Sequence, residues 1–361
     1  MANMLGIPLG PIVGGWLLEH YWWGSVFLIN LPFVAIALIA ISVLMPESRS
    51  SEHRPLDLIG VVSSSIGLVS VTYGVIRAGE NGWDDTISIV TLFIGLIILT
   101  AFVLWQKRNR HALIDLSLFG SKSFTWGSIL ATLVSFALFG LLFALPQFFQ
   151  AVGGTDALTT GLRLLPLIGG LIVGAKVSDL LVTAIGSKVN AALGFAVMAA
   201  GLMIGSTTDV QTSYGFIAMW ITVTGIGLGL ALPTAMDAAL SALSAERSGI
   251  GSALIMALRQ VGGAIGVALL GSTLNYSYRS QLDLTGLPNS VVSTVRQSVS
   301  AGVAVAHKLN SQELLDNVRN AFIHGEATML WVCGGIALLG VILTLSFLPR
   351  QASGSQTEEV S

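Results

Sequence analysis

The chain opens on a glycine-rich apolar stretch, Gly6-x-x-x-Gly10-Pro11-x-x-Gly14-Gly15. At helical spacing Gly6, Gly10 and Gly14 fall four residues apart, so they share one face that carries no side chains. In lipid, such a face lets two helix backbones pack closely. Pro11 removes one backbone N–H and favours a kink, which membrane helices tolerate better than soluble ones. The stretch predicts a membrane helix with a close-packing face, although Gly-x-x-x-Gly alone is also typical of ordinary helix packing.

The composition indicates an integral membrane protein. Of 361 residues, 53% are hydrophobic and 10% are charged, and the mean hydropathy is +0.80. A soluble domain carries about 25% charged residues, so this chain cannot cover its surface in water. The net charge of -2 provides no basic footprint for nucleic acid, and the single Cys333 excludes an internal disulfide.

Apolar length predicts the number of spans, because a transmembrane helix needs about 20 residues. Ten segments reach that length: residues 1–20, 25–45, 57–77, 87–105, 124–149, 157–182, 189–207, 213–241, 249–274 and 327–348. Two of the links between them are distinctive. Residues 106–123 form a basic hinge, and residues 275–326 form a long polar connection. The predicted fold class is therefore an all-α membrane protein.

The long connection contains two patterns at helical spacing. One is a row of valines, Val291, Val295, Val299 and Val303. The other follows a predicted capping box, Asn310-x-x-Glu313, and consists of Leu314, Leu315, Val318, Ala321 and Phe322. We interpret both as amphipathic helices that lie on the bilayer surface or against the bundle.

The distribution of lysine and arginine predicts the orientation, because cytoplasmic links are richer in both. If the first segment runs from the cytoplasm outwards, the inner links and tail carry ten basic residues and the outer links five. This orientation places the long connection outside the cell and the tail, residues 349–361, in the cytoplasm. The predicted location is the cell membrane, crossed several times.

Arg259 is the deepest charge in the predicted spans. It lies ten residues into the segment that begins at Gly249, in Arg259-Gln260-Val-Gly262-Gly263. An ionisable side chain inside a span is costly and often marks a pathway or relay. We expect Arg259 to face the interior or a cavity, either in a gating role or in a buried structural pair.

Asp237 is the candidate for a carboxylate that binds a proton or a cation. It follows Pro233 by one turn, in a glycine-rich span. The alternative is a carboxylate near the cytoplasmic end of its span that simply reaches water.

The remaining intramembrane charges have simpler interpretations. Asp179 follows Lys176 by three residues, which favours a local ion pair, and Arg163 lies one turn into its span, where it can snorkel to the outer surface. Three further acids, Glu19, Asp57 and Glu326, fall at predicted span ends and are expected at the interface.

The sequence contains no pattern of an enzyme. The five histidines lie in links or at span ends, and no pair has HxxxH or HExxH spacing. Cysteine clusters and a P-loop are also absent from the sequence. We therefore predict no catalytic site, no metal, no cofactor and no ATP-driven pump.

The opening stretch resembles the antiporter motif of major facilitator superfamily exporters, which lies on their fifth membrane helix. Other stretches resemble the same family in the same order: Trp22-Trp23-x-x-Val26-Phe27-x-Ile29-Asn30-x-Pro32, Leu56-Asp57-x-x-Gly60, Tyr73-Gly74, Gly82-Trp83, Gln147-x-x-Gln150, Gly161-Leu-Arg-Leu-Leu-Pro166 and Arg259-Gln260-Val-Gly262-Gly263. Two extra helices before the basic hinge and a long loop before the last helix are similar to the fourteen-helix drug:proton antiporter branch.

This resemblance implies alternating access between two six-helix halves, with a lipophilic or cationic drug exported and protons flowing inward. The implied parts are residues 1–45, the last two helices of the N-terminal half; 46–105, two inserted helices; 106–123, a cytoplasmic hinge; 124–348, the C-terminal half with its extracellular loop 275–326; and 349–361, a cytoplasmic tail. The implied seam against proton leakage is formed by Gly6, Gly10, Pro11, Gly14 and Gly15.

The chain also departs from this family. Met1 falls within what would be helix five, so we expect a C-terminal fragment with ten of fourteen helices. Thr183 stands before Gly186-Ser-Lys188, where the second-half loop motif of the family has an acid. Alternatives to a drug exporter are an exporter of an endogenous lipid, siderophore or antibiotic, and a non-transporting remnant or accessory membrane protein.

Overall fold

The computed structural model describes residue 10 and residues 13–44, 57–109 and 114–349, and all regular structure in these ranges is helical. The helices are α1 (Asn30–Leu44, after a single turn Ser25–Leu28), α2 (Leu58–Asn81), α3 (Thr86–Arg108), α4 (Lys122–Gln147, continued by a π-helical turn Phe148–Val152), α5 (Ala157–Arg163), α6 (Leu165–Ile185), α7 (Ser187–Gly205), α8 (Tyr214–Leu240), α9 (Ala245–Gln281), α10 (Asn289–Gln297), α11 (Val299–Lys308) and α12 (Gln312–Phe347). A 3-10 helix, Leu116–Gly120, precedes α4.

Within the described ranges, nine helical segments are long and apolar enough to cross a membrane. They correspond one to one with the nine predicted segments that start at residue 25 or later. The predicted segment 1–20 falls largely outside the described residues, which include a helical stretch at 13–20. The all-α membrane fold is confirmed.

Aspartate caps start several of these helices. The carboxylates of Asp57, Asp85 and Asp156 accept hydrogen bonds from the backbone N–H groups of Gly60, Ser88 and Thr159, at 2.9, 2.9 and 2.6 Å. Such caps satisfy backbone donors that a helix start leaves free. The short polar links predicted between spans therefore also define where the next helix begins.

Helices α4, α6, α7, α8, α9 and α12 pack into one six-helix bundle. Glycines on α8 bring backbones together: a Cβ at Gly225 would collide with the Leu167 carbonyl of α6, and one at Gly227 with the backbone of Met198 on α7. Small residues are the general means of close helix approach in lipid. The bundle core is filled by large side chains such as Trp220 and Phe195, each at most 1% exposed.

Helices α2 and α3 form a hairpin that packs on the outside of the bundle against α9. Gly79 of α2 meets Ser272 of α9, so closely that no side chain would fit at residue 79. At the opposite end of the hairpin, Asp57 accepts hydrogen bonds from Trp105 Nε1 at 3.1 Å and Gln106 Nε2 at 2.7 Å. The predicted interfacial Asp57 is therefore a buried cap that joins the two helices.

The long connection differs from its prediction in two ways. The valine row is broken at Ser298, whose extended backbone separates α10 from α11. The second predicted amphipathic helix is the first part of α12, which runs 36 residues without a break into the last span. Ser311 caps this helix by accepting a bond from Leu314 N–H, while Asn310 takes a left-handed φ of 49°, so the predicted capping box is wrong.

The connection packs against the bundle rather than spreading away from it. Val295 and Val299 are buried, and the Tyr278 hydroxyl of α9 donates to the Val295 carbonyl at 2.9 Å. The neighbouring Arg279 donates from Nε to the Arg296 carbonyl of α10 at 2.9 Å and also binds the Glu80 carbonyl of α2. One guanidinium thus holds the long connection, the hairpin and the bundle together.

Candidate functional site

Arg259 lies where α4, α8 and α9 meet. Its Nε donates to Ser135 Oγ of α4 at 2.9 Å, and one terminal nitrogen lies 3.6 Å from Met236 Sδ of α8. The glycines that follow it on α9 let α4 approach, because a Cβ at Gly262 or Gly266 would meet the α4 backbone. The side chain is partly buried, as expected from its depth in the sequence. No described carboxylate lies within ion-pair distance of it.

Asp237 follows Met236 on α8, the helix that packs against α6. Its carboxylate is close enough to Asp179 of α6 for the two charges to repel each other. Both side chains are exposed, and neither makes an ion pair in the described structure. The predicted pair between Asp179 and Lys176 does not form there. Two acids that are far apart in the sequence therefore lie on neighbouring helices.

A fully buried polar cluster lies one turn from these acids and was not predicted. Asn190 Nδ2 of α7 donates to Ser178 Oγ of α6 and to Thr234 Oγ1 of α8, both at 2.8 Å. The two hydroxyls are 3.0 Å apart, and Thr234 also donates to the Leu230 carbonyl at 2.8 Å. The cluster fixes α6, α7 and α8 to each other beside Asp179 and Asp237. Its members are 12 to 56 residues apart, so only the position of Asn190 near the start of an apolar span was a signal.

Arg163 does not project freely from the bundle. Its guanidinium stacks on the rings of Phe149 and Tyr214, with 5.8 and 5.1 Å to their centroids, and the Tyr214 hydroxyl donates to the Arg163 carbonyl at 3.4 Å. Cation–π contacts of this kind stabilise a cation partly withdrawn from water. The arrangement ties the end of α4 and the start of α8 to the break between α5 and α6.

The predicted glycine seam is described only in part. Gly6 and Pro11 lie outside the described residues. A Cβ at Gly10 or Gly14 would meet nothing within 4 Å, whereas at Gly15 it would lie 2.6 Å from the Ala157 carbonyl oxygen. The stretch therefore makes a close backbone contact with the first turn of α5 through Gly15.

Glu326 is the acid that the sequence placed wrongly. It was expected at the end of a span, but α12 begins at Gln312, so Glu326 lies inside the helix on its buried face and is 3% exposed. The apolar window that begins at residue 327 hid this, because the amphipathic residues before it were assigned to a separate helix.

Among the described residues, no three His, Cys, Asp or Glu side chains converge as a metal site would require.

Comparison with known proteins gives consistent matches. The family model of the Major Facilitator Superfamily matches residues 1–267. The multidrug efflux pump LfrA of Mycolicibacterium smegmatis is 32% identical over 356 residues, which cover 93% of this chain and 68% of that protein.

Two further relatives are also named for resistance or export. The tetracenomycin C resistance and export protein of Streptomyces glaucescens is 29% identical over 348 residues, covering 93% of this chain and 65% of that protein. The multidrug resistance protein Stp of Mycobacterium tuberculosis is 30% identical over 270 residues, covering 75% and 50%. The chain thus spans between half and about two thirds of the length of these relatives.

Proposed function

Because this chain belongs to the Major Facilitator Superfamily, we propose that it is a proton-coupled antiporter that exports lipophilic or cationic drugs by alternating access. As a member of a transporter family it is a multi-pass membrane protein and not an enzyme. The finer proposal places it in the fourteen-helix drug:proton antiporter branch. Two relatives named for multidrug efflux or resistance, LfrA and Stp, support it, together with the α2–α3 hairpin and the long connection before the last span.

The observation that carries the proton coupling is the pair of unbridged acids on α8 and α6. Asp237 and Asp179 lie on the packed helices α8 and α6, next to the 3.0 Å contact between the Thr234 and Ser178 hydroxyls, and like charges placed close together favour binding of a cation or a proton. We assign the proton to Asp237, and to Asp179 the role of the neighbouring charge. Arg259, at the junction of three helices, and Arg163, in its aromatic clamp, are the proposed gating charges.

The glycine stretch supports a sliding contact in this proposal. Gly15 allows residues 13–20 to lie directly on the first turn of α5, and a smooth backbone contact can shift when the transporter changes state. We propose that Gly6, Gly10, Pro11 and Gly14 extend this seam. Residues 1–45 then belong to the N-terminal half and residues 124–348 to the C-terminal half, with the hinge 106–123 and the tail 349–361 in the cytoplasm.

Transport by the full-length protein in liposomes tests the proposal. With an imposed pH gradient, we expect proton-dependent movement of a fluorescent lipophilic cation, which Asp237→Asn should uncouple from the gradient. Asp316→Asn, an exposed acid on α12, is the matched control and should transport as the wild type does. Unchanged pH dependence in Asp237→Asn would remove Asp237 from the mechanism, and no transport by the wild type would contradict drug export.

One relative favours a second candidate function. The Streptomyces protein is named for resistance to and export of tetracenomycin C. Export of an endogenous antibiotic, lipid or siderophore is therefore the alternative within the same family. A wild type that moves no lipophilic cation, but extrudes a compound made by its own host, would favour this alternative over both multidrug export and a non-transporting accessory protein.

A further inference from the structure

Arg259 carries more hydrogen-bond donors than the described residues use. A guanidinium has five N–H groups in a rigid fork and stays charged under all physiological conditions. One binds Ser135 Oγ and one contacts the sulfur of Met236, which is a weak acceptor. Three N–H groups are left without an acceptor in the described part of the chain.

The charge of Arg259 is also uncompensated there. The ion pairs described are Arg77–Asp85 and Arg247–Asp115, and neither is near α9's midpoint. Asp237 follows a residue that touches Arg259, yet no ion pair joins its carboxylate to the guanidinium. A charge that is partly withdrawn from water is costly unless a partner compensates it. The counter-charge for this guanidinium therefore has to come from another molecule or segment.

The surface beside Arg259 is unlike a lipid-facing surface. Between residues 251 and 275 of α9, the exposed side chains lie on one face and are Ala253, Met256, Ala257, Gln260 and Ala264. On the apolar part of α12, from residue 327 onwards, the large exposed side chains are all apolar: Trp331, Leu338, Leu339, Ile342, Leu345 and Phe347. Lipid favours the second kind of face, whereas small residues and an amide leave room for a polar occupant. Arg259 lies at the edge of the α9 face, one turn after Met256.

We propose that Arg259 binds an ionised acid group, such as a carboxylate, on the transported compound. The fork of free N–H groups matches a carboxylate, which accepts two parallel hydrogen bonds from a guanidinium. This assignment rests on the proposed export function and adds lipophilic compounds that carry an acid to its substrates. Met256 and the alanines provide the apolar surface for the rest of such a molecule. Gln260 offers it one further polar contact.

Direct binding tests this assignment without a proton gradient. The purified chain in phosphatidylcholine nanodiscs is titrated at pH 8 with radiolabelled 1-naphthaleneacetic acid and with its neutral amide, and empty nanodiscs provide the background. We expect the wild type to prefer the acid, and Arg259→Gln to lower acid affinity about tenfold or more while leaving the amide unchanged. Arg259→Lys should retain part of the preference because it keeps the charge without the fork. Lys308→Gln, an exposed charge on α11, should bind as the wild type does.

Several results would contradict the assignment of Arg259. Equal binding of acid and amide, or binding of neither, would overturn the assignment, and so would an equal loss of both in Arg259→Gln, which indicates a structural role. If replacing phosphatidylcholine with phosphatidylglycerol abolishes acid binding in the wild type alone, the site belongs to a lipid headgroup and the assignment also fails. Proton-driven transport of a cation with no acid preference would leave the export function standing and remove only this inference.

Discussion

The six-helix bundle and the α2–α3 hairpin are both apolar and helical, but they bury very different fractions of themselves. In α4 and its π-helical turn, 67% of the apolar stretch is buried. In α2 and α3 the buried share is 22% and 17%. In the bundle, each helix contacts several others, and polar side chains inside it bind each other across helices. The hairpin has one internal contact face and one patch on α9, and its other faces are exposed. The candidate charges are therefore positioned by packing within the bundle, whereas the hairpin depends on its caps and on what surrounds it.

The largest effect is expected where two backbones touch inside the bundle. Gly225→Leu would drive a side chain into the Leu167 carbonyl, so we expect it to destabilise the protein by about 3 kcal/mol, the upper part of the usual range for an overfilled core. Gly169→Leu on α6 is the matched control, because a Cβ there meets nothing within 4 Å. Unfolding in mixed micelles of rising SDS fraction measures both. Equal stability of the two variants would show that the α6–α8 contact is looser than described.

A smaller effect is expected from the buried polar cluster. Asn190→Ala removes two hydrogen bonds of 2.8 Å that connect three helices, and we expect a loss of about 1–2 kcal/mol in the same assay. Asn81→Ala at the end of α2 is the control, since that exposed amide makes only a 3.5 Å bond to the Arg77 carbonyl. If Asn190→Ala leaves the stability unchanged, the cluster contributes nothing to the packing of α6, α7 and α8.

The smallest effect concerns the turn of the hairpin. The pKa of Asp85 is lowered from 3.8 to about 2 because its carboxylate accepts hydrogen bonds. They come from Arg77 Nε, at 2.8 Å, and from the N–H and the hydroxyl of Ser88. Because the folded pKa is the lower one, this stabilisation is complete above about pH 5 and is lost as the pH falls towards 2. Hydrogen exchange in α2 and α3 should therefore speed up in that range relative to the bundle.

Two variants separate this pH response from general acid unfolding. Asp85→Asn should abolish the extra acceleration in the hairpin, while Asp84→Asn, its neighbour in the same turn, should keep it. If bundle and hairpin amides respond alike in all three proteins, the capped turn is not what holds the hairpin at neutral pH.

Apolar length alone was enough to predict the spans, because each described membrane helix contains an apolar run long enough to cross a bilayer. The prediction went wrong where a helix changes its environment without ending. Residues 312–326 are amphipathic and residues 327–347 are apolar, so they were separated, yet nothing interrupts the backbone of α12 between them. That error also moved Glu326 from the interior of a helix to the supposed end of a span.

The charges of the candidate site were found from the sequence, but their partners were not. Arg259 stands out in any apolar segment, whereas Ser135 and Met236 are 124 and 23 residues away and look like ordinary core residues. The same holds for Asn190, whose bonds to Ser178 and Thr234 depend on how three helices cross. Composition reveals a residue that is costly to bury, and only the packing reveals what compensates it.

The guanidinium of Arg279 has a mechanical consequence. Arg279 belongs to α9, and its guanidinium donates hydrogen bonds to carbonyl groups of both α2 and α10. One side chain therefore connects the three helices. A tilt of α9 would drag the hairpin and the long connection with it, unless those bonds broke first. The hairpin contributes little to the core, but a movement of the helix that carries Arg259 has to move the hairpin as well.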